Sequence, residues 1–199
     1  MIISYKHNFI YFRPKKTGSS TIAEVLRANF GTDDVDHNDL SSIDEKTHAH
    51  TKAEQIRRMV PRKFWKGAFK FTSERHPYEK AVSLAYYRMG KPGKAEQNQS
   101  RPFEEMLDSV IAGEGYCGFR YYSINGRPVV DDFIRQESLS ADLKRIGEKL
   151  GLSIPDELPR RKSRYREDRR PAHEILSAAQ KDIIFAKCKP EFELLGYER

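Results

Sequence analysis

The chain has 199 residues, of which 38% are apolar and 33% are charged, and its net charge at neutral pH is +7. This length suffices for one folded domain spanning residues 1–199, and the charge favours anionic partners such as nucleotides, nucleic acid or acidic glycans. No apolar run approaches the roughly 18 residues that a membrane span needs, and the N-terminus lacks a signal-like apolar segment, so we expect a cytoplasmic protein with no transmembrane segment.

The first predicted unit is the segment NFIYFRPKKTGSSTIAEVLRAN, residues 8–29. Its apolar start is typical of a buried strand, RPKKTGSS is typical of a loop, and the apolar residues that follow recur at helical spacing. Such a unit gathers backbone N–H groups at a helix N-terminus, and Gly18 permits close approach of a ligand. We therefore predict a site for a phosphate or sulfate ester. Its candidate residues are Lys15, Lys16, Thr17, Gly18, Ser19, Ser20 and Thr21.

This loop differs from the standard nucleotide loop, GxxxxGK[ST], because Lys16 precedes Gly18. An alternative interpretation is a basic surface turn in which a serine caps the helix. The order Lys-Thr-Gly-Ser-Ser-Thr resembles the 5′-phosphosulfate loop of sulfotransferases that use 3′-phosphoadenylyl sulfate (PAPS). The family form is Pro-Lys-x-Gly-[ST]-[ST], whereas here Lys15 separates Pro14 from Lys16. Either lysine is a candidate for the sulfate contact, and the spacing to Gly18 favours Lys16.

Two histidines, His48 and His50, precede a predicted helix. The residues alone leave three roles open for them: metal ligands, a polar turn before the helix, or a general base. The segment resembles the His-x-Thr-Ala-x-Glu-Ile-Arg segment of carbohydrate-type sulfotransferases. Aligned on Ala53 and Ile56, the family histidine falls on His50. The resemblance implies that His50 takes the proton of the acceptor hydroxyl, with His48 as the second candidate.

A second strand–loop–helix unit begins at residue 68. Residues 68–73 alternate between apolar and polar, and Pro77 suits the first turn of a helix. An ordinary junction with a salt-bridged Arg75 is the alternative interpretation. The string Arg-His-Pro-Tyr-x-x-x-Val-Ser-x-x-Tyr resembles the 3′-phosphate motif of the sulfotransferases, including its step from Arg75 to Ser83. The resemblance implies that these two residues hold the 3′-phosphate, and the planar fork of arginine suits that contact.

The rest of the chain predicts helices and one further strand. An amphipathic helix is expected over residues 103–111, a strand over residues 129–135, and a helix ending at Gly151. Ser177 and Gln180 form a capping box for the last helix, which Pro190 kinks or breaks. Cys117 and Cys188 form no motif, and we expect free thiols.

The most basic run, residues 159–171, reads PRRKSRYREDRRP. A solvated loop is the simple interpretation. In the fold that the resemblance implies, a late basic loop closes over the nucleotide. Its candidate cofactor contacts are Arg160, Arg161, Lys162 and Ser163.

These elements predict a three-layer α/β/α domain with a mostly parallel central sheet and a P-loop-like nucleotide site. The resemblance implies in-line transfer of a sulfuryl group from PAPS to a hydroxyl, on a carbohydrate or glycolipid, with adenosine 3′,5′-bisphosphate as product. No metal and no nucleic-acid partner are expected. The alternatives are a kinase that uses ATP, a non-enzymatic polyanion-binding module, and a sulfotransferase that binds nucleotide without turnover.

Overall fold

The computed structural model describes residues 1–36, 50–90, 101–159, 165–166 and 168–199. Its contacts divide the chain into two compact units. Unit 1 consists of Met1–Glu74 and Phe119–Arg161, and unit 2 consists of Arg75–Gly118 and Lys162–Arg199. One domain over residues 1–199 stays a prediction.

Unit 1 contains a five-stranded sheet and a short two-stranded ribbon. The strands are β1 (Ile2–Ser4), β2 (Phe9–Phe12), β3 (Val35–Asp36), β4 (Phe69–Glu74), β5 (Ser123–Ile124), β6 (Arg127–Pro128) and β7 (Asp132–Arg135). The sheet has the order β3-β1-β2-β4-β7. The longer strands β2, β4 and β7 are parallel neighbours, while β1 pairs antiparallel with β2 and β3. The predicted mixed α/β class is confirmed, with a sheet that is parallel in its long central strands.

The described helices are α1 (Ser19–Arg27), α2 (Ala53–Met59), α3 (Arg62–Gly67), α4 (Pro77–Met89), α5 (Phe103–Ala112), α6 (Leu139–Leu150), α7 (Ala172–Ile175), α8 (Ala178–Lys187) and α9 (Lys189–Leu195). Most of them fall close to the predicted positions, but the short helices α3 and α7 were not predicted. Within the described ranges, none of these helices is both long and apolar enough to cross a membrane.

The core of unit 1 follows from the alternation of side chains along β2. Phe9 and Tyr11 belong to a buried cluster with residues of α1 and α6, whereas Ile10 and Phe12 belong to another cluster with residues of α2. Successive side chains of a strand point to opposite faces of the sheet. Both faces of β2 are therefore buried, which explains why FIYF is a continuous apolar run.

Unit 2 is a group of helices around one apolar cluster formed by α4, α5 and the last three helices. The predicted capping box is confirmed, since the Ser177 hydroxyl accepts from the Gln180 N–H. The break at the last helix is confirmed as well, because α8 ends at Lys187 and α9 begins at Lys189. Cys117 and Cys188, 71 residues apart, are buried thiols whose sulfur atoms lie 3.5 Å apart.

Candidate functional site

The loop between β2 and α1 has an unusual backbone, and we call residues 13–18 the anion loop. Lys16 has φ 65° and Gly18 has φ 76°, so two of its residues are left-handed. A non-glycine residue in this region is uncommon and costs free energy, which the surrounding structure must compensate. A Cβ added at Gly18 would make only ordinary contacts with Leu139 at 3.6 Å. The positive φ at this position, rather than a lack of space for a side chain, therefore explains why residue 18 is a glycine.

Gly18 is also the N-cap residue of α1, directly before its first residue, Ser19. Its carbonyl oxygen accepts from the N–H groups of Thr21, at 3.0 Å, and Ile22, at 3.2 Å. No side chain caps this helix among the described residues, and its first turn has no acidic residue. The serine cap of the alternative interpretation is therefore wrong, while a basic surface turn stays an alternative to the anion site. An uncapped N-terminus of this kind offers its first N–H groups and its partial positive charge to an anion.

The hydroxyl groups of the predicted site differ in what they contact. Thr17 is fully buried, and its hydroxyl donates to the Pro14 carbonyl oxygen. Thr21 donates its hydroxyl to the Pro159 carbonyl oxygen at 2.8 Å, and its N–H is bonded to Gly18. Thr17 and Thr21 thus have structural roles, and both donors of Thr21 are engaged within the fold. Ser20 is half-buried, and so are Lys15 and Lys16.

His50 lies against the start of the anion loop. Its Nδ1 is 2.6 Å from the carbonyl oxygen of Arg13, the residue that directly follows β2. A carbonyl oxygen only accepts, so Nδ1 carries the proton and Nε2 carries the lone pair. The structure therefore places the predicted catalytic histidine beside the predicted phosphate loop, in the same unit.

The environment of His50 keeps its imidazole neutral. Burial lowers its pKa to about 4, and the positive charges of Lys15 and Arg13 act in the same direction. The hydrogen bond to the Arg13 carbonyl opposes this effect and only partly offsets it. At neutral pH the ring is an uncharged proton acceptor, as a general base must be.

The second predicted motif lies in unit 2, at the start of α4. Arg75 donates to Glu79 at 2.8 Å, as the alternative interpretation of a salt-bridged arginine expected. Glu79 also accepts from the guanidinium of Arg166 and from the N–H of Ala172 at 2.7 Å. Burial raises the pKa of the Glu79 carboxyl, but these hydrogen bonds and the arginine charges outweigh burial and hold its pKa below the usual value. Ser83 is half-buried, one helical turn after Glu79 on α4.

Sequence reasoning missed two parts of these sites. One is Arg166, which belongs to the basic run but was not among its predicted contacts. The predicted contacts of that run, residues 160–163, lie outside the described residues, and so does His48. The spacing of Arg75 and Glu79, four residues apart, indicates a helical ion pair. No sequence signal pointed to Ser73, which bonds to Thr17 from 56 positions away.

Comparisons of this chain with models of protein families, with curated proteins and with solved structures find no match. In the parts of the chain that the structure describes, no three His, Cys, Asp or Glu side chains gather to hold a metal ion.

Proposed function

We propose that this protein is a PAPS-dependent sulfotransferase that acts on a hydroxyl group of a carbohydrate or glycolipid. The observation that carries the proposal is the anion loop. It combines the left-handed residues Lys16 and Gly18 with an uncapped helix, and the half-buried imidazole of His50 contacts its first residue. Anion binding at a helix N-terminus and a neutral base beside it are the two components that sulfuryl transfer to a hydroxyl requires.

The residues of the loop suit the phosphosulfate end of the donor. Lys16 and the N–H groups of Gly18, Ser19 and Ser20 would hold it, since the first turn of α1 contains no carboxylate that would repel an anion. PAPS would supply an activated sulfuryl group, on which the acceptor oxygen displaces the bridging oxygen of the phosphate. The same positive groups would neutralise the charge that develops on that phosphate.

His50 would accept the proton of the acceptor hydroxyl on Nε2. An imidazole with a pKa of about 4 is a weak base, but part of that lowering comes from the positive charge of Lys15. An anion bound at the loop would offset this charge and raise the pKa of His50 towards neutrality. Donor binding would thus make the base stronger when the acceptor arrives.

We also propose that unit 1 is the three-layer nucleotide-binding core of the P-loop-like class. The support is the burial of both faces of β2, by α1 and α6 on one face and by α2 on the other. The parallel neighbours β2 and β4 support the same assignment, because each is followed by a helix. Loops at the carboxyl ends of such strands are where α/β proteins bind their ligands.

The proposal assigns the 3′-phosphate of the donor to Arg75 and Ser83, on the basis of the motif resemblance. Two guanidinium groups, those of Arg75 and Arg166, share the single carboxylate of Glu79. Arginine binds phosphate oxygens in pairs, which suits this assignment. Arg161 and Lys162 remain predicted contacts of the nucleotide.

Turnover of the donor tests this proposal without knowledge of the acceptor. The full-length protein is incubated with PAPS, with and without a panel of sugar and glycolipid acceptors, and adenosine 3′,5′-bisphosphate is quantified. We expect an acceptor to accelerate release of the bisphosphate, and His50→Asn to slow this release by about 10²- to 10⁴-fold. Release that is independent of every acceptor and equal in His50→Asn would overturn the proposal.

The rival non-enzymatic function is supported by the net charge of +7. A polyanion-binding module would bind nucleic acid or heparin with an affinity that falls steeply with salt. It would also bind equally well in His50→Asn, because the imidazole adds no charge at neutral pH.

A further inference from the structure

Three buried hydroxyl groups connect the anion loop to the sheet. The Tyr11 Oη lies 2.7 Å from the Ser73 Oγ, and the Ser73 Oγ lies 2.7 Å from the Thr17 Oγ1. The Thr17 Oγ1 lies 3.1 Å from the carbonyl oxygen of Pro14. Tyr11 and Thr17 are both fully buried, and so is Ser73. The chain of bonds therefore runs from β2, through β4, into the loop.

The direction of these hydrogen bonds follows from the number of protons. The Pro14 carbonyl oxygen can only accept, so the single hydroxyl proton of Thr17 goes to it. Ser73 must then donate to Thr17, and Tyr11 must donate to Ser73. Each donor has one acceptor, and the chain has one direction, from Tyr11 to Pro14. Burial raises the pKa of Tyr11, so its phenol keeps the proton that starts the chain.

We propose that Tyr11, Ser73 and Thr17 are positioning residues that hold the anion loop in its ligand-binding conformation. The proposal deepens the proposed function and rests on it only for the identity of the anion. The last bond of the chain closes the turn from Pro14 to Thr17, and Lys16 lies inside that turn.

The strained conformation of Lys16 explains why the loop needs this chain of hydrogen bonds. Its φ of 65° is unfavourable for a residue with a Cβ, and a short loop relaxes from it unless other contacts prevent this. A bond at Thr17 that is anchored in two neighbouring parallel strands, β2 and β4, prevents it. Buried hydroxyl chains also lose more than one bond when one member is removed, because the remaining groups stay without water.

Matched variants of the protein test this proposal. Thr17→Val removes the hydroxyl and keeps the shape, whereas Thr17→Ser keeps the hydroxyl. The control is Thr72→Val, since Thr72 is also fully buried and donates to a main-chain oxygen, that of Phe12 at 3.3 Å. Two measurements are made on each full-length variant: the Kd for adenosine 3′,5′-bisphosphate by calorimetry, and hydrogen exchange of the amides of residues 16–20 without nucleotide.

We expect Thr17→Val to raise the Kd and the exchange rates of the loop amides about tenfold or more, and Thr17→Ser to change both by less than about threefold. Thr72→Val should leave the Kd and the loop exchange unchanged. Tyr11→Phe removes only the first donor and keeps the ring in the core, so it should shift both quantities in the same direction by less. It also serves as the test if Thr17→Val does not fold.

Loop exchange in Thr17→Val and Tyr11→Phe equal to that in Thr72→Val would overturn the proposal. If the parent protein does not bind the bisphosphate, the proposed function fails. The exchange of the loop amides still decides the role of the hydroxyl chain in that case, because it is measured without nucleotide.

Discussion

The imidazole of His50 donates a 2.6 Å hydrogen bond to the main-chain oxygen of Arg13. Arg13 directly follows β2 and is the first residue of the anion loop, so one bond fixes the ring, its tautomer and its distance from the loop. In this tautomer Nε2 bears the lone pair, so it is the nitrogen to which a proton would be transferred. This relationship between the proposed base and the proposed phosphate loop is the basis of the predictions on His50.

His50→Asn should separate catalysis from binding. The side-chain amide of asparagine can donate to the Arg13 carbonyl in place of Nδ1, but it has no basic nitrogen. We expect kcat to fall by about 10²- to 10⁴-fold, as is typical on loss of a general base. The Kd for adenosine 3′,5′-bisphosphate, measured by calorimetry, should stay close to that of the parent. A variant that retains the parental kcat would show that His50 is not the base.

The depressed pKa of His50 predicts how stability depends on pH. The folded protein keeps the ring neutral down to a pKa of about 4, while the unfolded chain protonates it near its ordinary value of 6.5. The contribution of His50 to the free energy of unfolding is therefore complete above pH 6.5. As the pH falls towards 4 this contribution is lost, and the free energy of unfolding decreases by roughly 3 kcal/mol in total.

Urea denaturation between pH 7.5 and pH 4 checks this expectation, with the parent and His50→Asn compared at each pH. The difference between the two free energies of unfolding should shrink as the pH falls, because the variant has no imidazole to protonate. A difference that stays constant over this range would contradict the assigned burial of the ring.

Lys16 carries both a charge and a strained backbone, and two substitutions separate these properties. Lys16→Gly and Lys16→Ala both remove the charge, so each should lower kcat by about 10²-fold or more, with a smaller loss of nucleotide affinity. Glycine adopts positive φ freely, so Lys16→Gly should be more stable to urea than Lys16→Ala by about 0.5–1 kcal/mol. Lys15→Ala is the neighbouring control. If it loses the turnover that Lys16→Gly retains, Lys15 is the residue that contacts the transferred group.

Arg75→Ala should weaken binding of the 3′-phosphorylated nucleotide selectively. We expect the Kd for adenosine 3′,5′-bisphosphate to rise by about 10- to 100-fold, because a charge-assisted contact to phosphate is lost, while the Kd for AMP stays unchanged. Arg101→Ala is a matched control, since Arg101 forms the same i,i+4 ion pair with Glu105 on an exposed surface. An equal effect on both nucleotides, or none, would remove Arg75 from the 3′-phosphate site.

Local patterns of the sequence were sufficient for much of the fold. The spacing of apolar residues located α5, and Gly151, with φ 64°, ends α6 as expected. The strands β1 and β3 were not predicted individually, because three and two residues are too few to show an alternation. The antiparallel edge of the sheet was missed for that reason.

Parts of the candidate site depend on contacts between distant residues, and these were not predictable. Ser73 reaches Thr17 only because β2 and β4 are parallel neighbours. Arg166 reaches Glu79 across 87 positions of the chain. The loop itself was predictable, because Pro, Gly and Ser residues between an apolar run and a helical pattern are typical of a loop.

The most direct test of the central claim is a calorimetric titration of the parent protein with adenosine 3′,5′-bisphosphate, beside AMP and beside ATP with and without magnesium. The sulfotransferase proposal predicts clear preference for the bisphosphate, with no requirement for a metal ion. Equal or absent binding of the bisphosphate, or a preference for magnesium-ATP, would contradict it and favour a polyanion-binding module or a kinase.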